Sequence, residues 1–102
     1  MSDTKYTLRV TGEFKQDLKR CKKRGMHMDE LWAVIDKLLH GETLEPKYKA
    51  HLLTGNRRGQ WECHIEPDWL LIWEQNDTEL ILIMINTGTH SDLFSKKYRR
   101  NE

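Results

Sequence analysis

Residues 60–88 read QWECHIEPDWLLIWEQNDTELILIMINTG, and this stretch decides the fold. Trp61, Cys63 and Ile65 alternate with Gln60, Glu62, His64 and Glu66, which is the period of a half-buried strand. Pro67 and Asp68 fit the centre of a tight turn, residues 69–75 form a second strand, and Asn76-Asp77 a second turn. Residues 79–86 are almost continuously apolar, which predicts a strand buried on both faces and placed at the centre of its sheet.

Working towards the N-terminus, residues 6–11 alternate and are rich in β-branched side chains, so they read as a strand. Residues 13–24 carry Phe14, Leu18 and Cys21 at helical spacing, and Gly25 supplies a stop. Asp29 reads as the cap of a second helix, with Leu31, Trp32, Ile35, Leu38 and Leu39 as its apolar face before Gly41. So short a connection predicts an antiparallel helical hairpin. Residues 41–59 hold Pro46, Gly55 and Gly59 and no clear period; a loop of this length in a small domain is often functional. The order predicts an α+β fold: an N-terminal strand and an antiparallel helical hairpin packed on a mostly antiparallel sheet of about four strands. The hairpin covers one sheet face and leaves the other for a site. Residues 1–94 are expected to form one domain, with residues 95–102 a basic tail.

The chain has 102 residues, 37% hydrophobic and 32% charged, enough for one domain with a thin core. Cys21 and Cys63 have no metal or redox spacing and read as core fillers of a reduced protein. Residues 1–5 are polar and carry no signal-peptide pattern, and the longest apolar run, residues 80–85, is too short to span a bilayer. A cytoplasmic protein with no membrane attachment is the expectation. Net charge is only +1, but it is unevenly placed. Residues 62–95 contain no Lys or Arg, while the cations cluster at Arg20, Lys22, Lys23 and Arg24, at Lys47, Lys49, Arg57 and Arg58, and at Lys96, Lys97, Arg99 and Arg100. Segregated basic patches suit contact with phosphates, although each cluster also reads as an ordinary solvated face.

Five histidines locate the chemistry. His27, between the helices, and His40, at the end of the second, read as structural. His51 lies in the long loop, His64 on the polar face of a strand with Glu62 and Glu66, and His90 after the apolar strand; Asp68 sits at the adjoining turn. Three readings follow. The residues form a metal site, but the short ligand pairs of strong zinc signatures are missing. They perform acid–base chemistry on RNA, whose own 2′-hydroxyl is the nucleophile, so that a pair of imidazoles is enough. Or His51 and His64 only satisfy local hydrogen bonds.

The stretch His51-Leu-Leu-Thr-Gly55, then Gly59, then His64-Ile-Glu-Pro-Asp-Trp69, then Thr87-Gly-Thr-His-Ser-Asp-Leu-Phe94 resembles the YafQ-like group of bacterial type II toxins, within the RelE superfamily. The combination H-x3-G, H-x2-P-D-W and T-G-T-H-x3-F, in that order, is specific and covers much of the C-terminal half. The resemblance implies the RelE-like fold and a ribosome-dependent endoribonuclease that cuts mRNA in the A site without a metal or other cofactor. It implies catalytic positions at His51, His64, Asp68 and His90, and RNA contacts at Trp69 and Phe94. We add Arg57, Arg58, Lys47 and Lys49 as RNA-binding cations. His90 is assigned as general acid, His51 as general base, Asp68 as the group that orients an imidazole, and His64 as a phosphate contact or a sharer of the base role. The implied partners are a cognate antitoxin, the ribosome and mRNA, with operator DNA bound only through the antitoxin; the free toxin is expected to be a monomer. Members commonly carry Arg where this chain has Asn86, so that cation's task would pass to Arg57, Arg58 or the tail. Two rivals share the fold: a ParE-like gyrase inhibitor, and a ribosome- or nucleic-acid-binding module that does not cut.

Overall fold

The computed structural model describes residues 4–94, so the basic tail expected at residues 95–102 lies outside the described residues. Strand β1 (Thr7–Val10) leads into helices α1 (Gly12–Lys23) and α2 (Met28–Leu39). A 3-10 turn (Pro46–Tyr48), the short strand β2 (His51–Leu52) and a second 3-10 turn (Gly55–Arg57) follow. The chain then forms β3 (Trp61–Glu66), β4 (Trp69–Asn76), β5 (Ile81–Gly88) and a terminal helix α3 (His90–Phe94). The sheet has five strands in the order β1-β5-β4-β3-β2, with β1 parallel to β5 and every other pair antiparallel.

The sheet is mostly antiparallel as expected, with one further short strand beyond the four or so read from the sequence. β2 contributes only the pairs His51↔Glu62 and Leu52↔Trp61, inside the loop that showed no period. Two residues are too few to display alternation, whatever they pair with. The centre of the sheet is also β4 rather than β5. Trp69, Leu71 and Trp73 join the helices in the main core, and Leu70 and Ile72 join Leu93 of α3 in a smaller one, so residues Trp69 to Trp73 are all buried. α3 is too short to cover the whole outer face, and Ile81, Ile83 and Ile85 of β5 stay half-buried.

Helix α1 starts where Thr11 accepts a hydrogen bond from the Phe14 amide at 3.0 Å, an N-cap of ordinary type. Helix α2 starts earlier than expected. His27 is its cap residue and makes no side-chain cap bond, while Asp29 falls in the first turn with Glu30, where both carboxylates oppose the positive helix end. Its buried face is Leu31, Val34, Ile35 and Leu38; Trp32 is 44% exposed and stands outside it.

Trp69 was expected to touch RNA. It is 1% exposed, packed among Phe14, Leu71 and Trp73 in the main core, and its indole N–H donates to Thr87 Oγ1 at 2.9 Å. No ring face is left for a base to stack on, so that expectation is corrected: Trp69 holds β4 to β5 and to the helices. Trp69→Ala should destabilise the fold by about 3–5 kcal/mol, as large aromatic deletions in packed cores do. Urea unfolding measures it, and a loss below 1 kcal/mol would contradict this placement.

Candidate active site

Three strands in register bring the sequence-predicted residues to one end of the sheet. Leu70 of β4 pairs with His64 on one side and Gly88 on the other. The turn after β3 holds Asp68, and His90 follows Gly88 by two residues, so antiparallel pairing sets Asp68, His64 and His90 side by side. The register of β3 slips between His64 and Glu66. This bulge leaves His64 on the outer face but turns Glu66, expected beside it, towards the helical hairpin, where His27 Nδ1 meets its carboxylate at 2.9 Å.

His90 is fixed by a local cap and a distant clamp. Thr89 and Asp92 satisfy each other's amides across the first turn of α3, Thr89 N to Asp92 Oδ2 at 2.9 Å and Asp92 N to Thr89 Oγ1 at 3.1 Å. Arg24 of α1 grips the same carboxylate with two bonds, at 2.7 and 3.1 Å. Burial alone would raise the Asp92 pKa; the Arg24 hydrogen bond, the Thr89 amide and the Arg20 charge outweigh it and bring it down to about 2. Gly88 leaves room for this clamp, because a Cβ would lie 2.9 Å from both the Arg20 guanidinium and the Asp92 carboxylate and would push them aside. The basic cluster on α1 is thus partly engaged: Arg20 also pairs with buried Asp17 at 3.1 Å.

Asp68 Oδ1 accepts the His90 backbone N–H at 2.9 Å and meets His90 Nδ1 at 2.6 Å. The amide and the imidazole together hold the Asp68 carboxyl below its ordinary pKa. A carboxylate at Nδ1 requires a proton there and makes Nε2 the nitrogen turned to a substrate. The His64 ring lies 5.7 Å from the His90 ring, tilted by 56°, with its Nδ1 3.3 Å from the Pro67 carbonyl. The His90 and Asp68 side chains are more than half exposed, so the pair is open to a polymer.

His51 stands one row away on the same face. It pairs across strands with Glu62, which lies two residues from His64 along β3; such a diagonal separates residues by about 7–8 Å. Its Nδ1 lies 2.7 Å from the Lys49 carbonyl and its Nε2 3.3 Å from Glu62 Oε1. Glu62 is the residue that sequence reasoning missed. Alternation marked it as a surface carboxylate, yet it is 7% exposed beneath His51.

Asn86 is buried and donates to Asp17 Oδ2 at 3.0 Å. The Arg57 guanidinium reaches Asn86 Oδ1 at 3.4 Å and sits 5.6 Å from the Phe94 ring centroid. A cation from the loop therefore stands beside position 86. Arg58, Lys47 and Lys49 are exposed; Lys47 and Lys49 flank Tyr48 beyond His64, not in the His64–His90 pair itself. Phe94 is half-buried against Leu70, Ile72 and Leu93.

His27 and His40 lie apart from this group, His27 on Glu66 and His40 2.8 Å from the Asp36 carbonyl. Among the described residues the one group with metal-ligand spacing is His27, Glu30 and Glu66, whose ligand atoms lie within 4.8 Å. Both cysteines are buried and unpaired, and burial pushes the Cys63 thiol up to about 12, which rules it out as a nucleophile near neutral pH. Among the described residues no helix is long and apolar enough to cross a membrane.

Residues 6–95 match the family model described as bacterial toxin of type II toxin–antitoxin system, YafQ. The chain is 34% identical over 88 residues to the mRNA interferase toxin YafQ of Escherichia coli K12, covering 85% of this chain and 94% of that protein. It superposes on the crystal structure of the E. coli DinJ–YafQ toxin–antitoxin complex with a TM-score of 0.81 at 33% identity, over 88% of this chain and 98% of that one. A metal-bound toxin from Helicobacter pylori is equally similar, with a TM-score of 0.81 at 36% identity over 87% of this chain and 99% of that one.

The Asp92 clamp has a pH signature. Its pKa is about 2 folded against 3.8 for the free group, so its stabilisation is present above pH 4 and is lost as pH falls through 2. Asp92→Asn should therefore melt several degrees below the parent at pH 7, with the gap closing towards pH 2. A gap independent of pH would show that the carboxylate charge is not what holds α3.

Proposed function

Because the chain belongs to the YafQ family of type II toxin–antitoxin toxins, we propose that it cuts mRNA in the ribosomal A site by histidine acid–base catalysis. It is an mRNA interferase, an endoribonuclease toxin. The observation that carries the mechanism is the Asp68–His90 pair set against the His64 ring.

In this reading the RNA 2′-hydroxyl attacks the neighbouring phosphorus, a 2′,3′-cyclic phosphate forms, and the 5′-oxygen of the next nucleotide leaves. Asp68 fixes the His90 tautomer and stabilises its protonated ring, so His90 Nε2 gives the proton to the departing oxygen. The base role first assigned to His51 passes to His64. Both nitrogens of His51 already face oxygen acceptors, Lys49 O and Glu62 Oε1, whereas His64 meets the Pro67 carbonyl through Nδ1, which makes Nε2 the nitrogen that takes the proton in this reading. His51 then steers the backbone beside the cut bond. Arg57, standing beside Asn86, is the cation best placed to meet charge gathering on the phosphoryl oxygens. Phe94 supports a base edge and, through its contact with Arg57, the position of that cation. No metal is needed for these proton transfers, since the nucleophile belongs to the substrate.

A cognate antitoxin is the partner that silences the protein, as DinJ pairs with YafQ in the related complex. An acidic segment that folds on contact would suit the exposed lysines of α1 and the 47–58 loop. Operator DNA is then reached only through the antitoxin, and the free toxin is a cytoplasmic monomer.

Purified protein added to translating ribosomes, with cuts mapped by primer extension, tests this directly. His90→Gln should lower cleavage by about 10²- to 10⁴-fold, the usual worth of one proton transfer, with ribosome binding unchanged. Cleavage at the parent rate would remove His90 from the chemistry, and stalling without cuts would favour a binding module.

A further inference from the structure

Beyond the catalytic pair, the outer edge of β3 opens into a cavity of about 630 Å³. β2 pairs only with Trp61 and Glu62, so among the described residues no strand covers the outer edge of β3 from His64 onward, where β4 flanks it on the inner side alone. The space there is walled by Glu30 and Ala33 of α2 on one side and by Tyr48 and Lys49 of the 3-10 turn on the other. His64 and Glu66 line its floor, so His64 is shared between the catalytic pair and this cavity. The cavity therefore adjoins the place where a phosphate between His64 and His90 would lie.

The lining chemistry is that of a nucleotide site. The volume lies within the range of small-ligand pockets, which is ample for one base and its sugar. Tyr48 offers an aromatic ring and Ile65 and Pro67 an apolar surface; Lys47, 5.2 Å from the Tyr48 ring, and Lys49 stand at the rim as cations. Glu30 and Glu66 are both among its lining residues, and their carboxylates cluster with His27 at its side. Glu66 is held in place by His27 at 2.9 Å and by a hydrogen bond with Glu30; together these keep its carboxyl below the ordinary pKa, while the contact with Glu66 raises that of Glu30. Carboxylates accept hydrogen bonds from the exocyclic amino groups of adenine, cytosine and guanine. Uracil has no exocyclic amino group; its one donor, N3–H, lies between two carbonyl oxygens that a carboxylate repels, so it is the poorest fit of the four.

We propose that this cavity is a nucleotide subsite that takes the base flanking the cut bond and favours an amino-bearing base over uracil. The proposal rests on the mRNA-cutting reading above and names the substrate determinant of that same site. Tyr48 stacks on the base, Lys47 and Lys49 hold its phosphate, and Glu30 with Glu66 reads its edge.

Two variants outside the catalytic group test it. Ala33→Phe places a ring in the cavity from an exposed helix position, and Glu30→Gln removes one carboxylate from an exposed position. Each is compared with the parent on translating ribosomes, using messages that carry A, C, G or U at the nucleotides flanking the cut, together with melting temperature and antitoxin binding. The parent should cut next to amino-bearing bases at least fivefold faster than next to uracil. Ala33→Phe should cut at least tenfold more slowly at every site with an unchanged melting temperature, and Glu30→Gln should narrow the base preference to within twofold. The subsite is overturned if the parent cuts without base preference, or if Glu30→Gln, a near-isosteric change at an exposed position, retains the parent pattern. It is also overturned if the Ala33→Phe variant loses only antitoxin binding, which would give the cavity to the antitoxin. A parent that cuts no message at all overturns the mRNA-cutting reading, and this one with it.

Discussion

The register of β4 between its two neighbours is the constraint from which the rest follows. With Leu70 opposite both His64 and Gly88, the turn that carries Asp68 and the helix that carries His90 must end at the same corner of the sheet. A shift of one residue would send His64 to the helical face and leave Asp68 with no imidazole to meet. The register is itself enforced by burial, because β4 has apolar side chains packed on both faces and neither set tolerates exchange with the other. Stability and chemistry are therefore specified by the same strand.

Around that strand the buried polar groups are satisfied in a way that ties the helices to the site. Asp17 on α1, 7% exposed, accepts from Asn86 Nδ2 and the Thr87 amide and pairs with Arg20. A buried carboxylate is costly unless it is bonded in this manner. Arg24, one turn further on, reaches Asp92. Helix α1 thus grips β5 and α3 together, and His90 inherits its position from residues that never approach a substrate.

The uneven charge of the chain also acquires a structural meaning. The stretch without Lys or Arg, residues 62–95, supplies carboxylates that serve as partners for groups brought from elsewhere: Glu62 for His51, Glu66 for His27, Asp92 for Arg24. Asp68 is the exception, meeting an imidazole of its own stretch. This C-terminal stretch holds the acceptors, and the loops and helices before it bring the donors. Of the cations in the 47–58 loop, Lys47, Lys49 and Arg58 remain on the outside, while Arg57 is drawn in beside Asn86.

Alternation in residues 60–66, the helical spacing of Phe14 and Cys21 and the apolar run before Asn86 determined the α+β class, the hairpin and the strand meander, since these patterns are periods of local structure. Spacing likewise separated His51, His64 and His90 from His27 and His40. Tertiary structure alone decided which strand is central, that His51 sits in a two-residue strand, that Glu62 is buried beneath it, that Trp69 is core, and that Arg57 stands beside Asn86. The physical reason is common to all of these. Each depends on contacts between residues far apart in the chain, and such contacts leave no period in the sequence: a carboxylate on the polar side of a strand looks solvent-facing until another segment is laid over it.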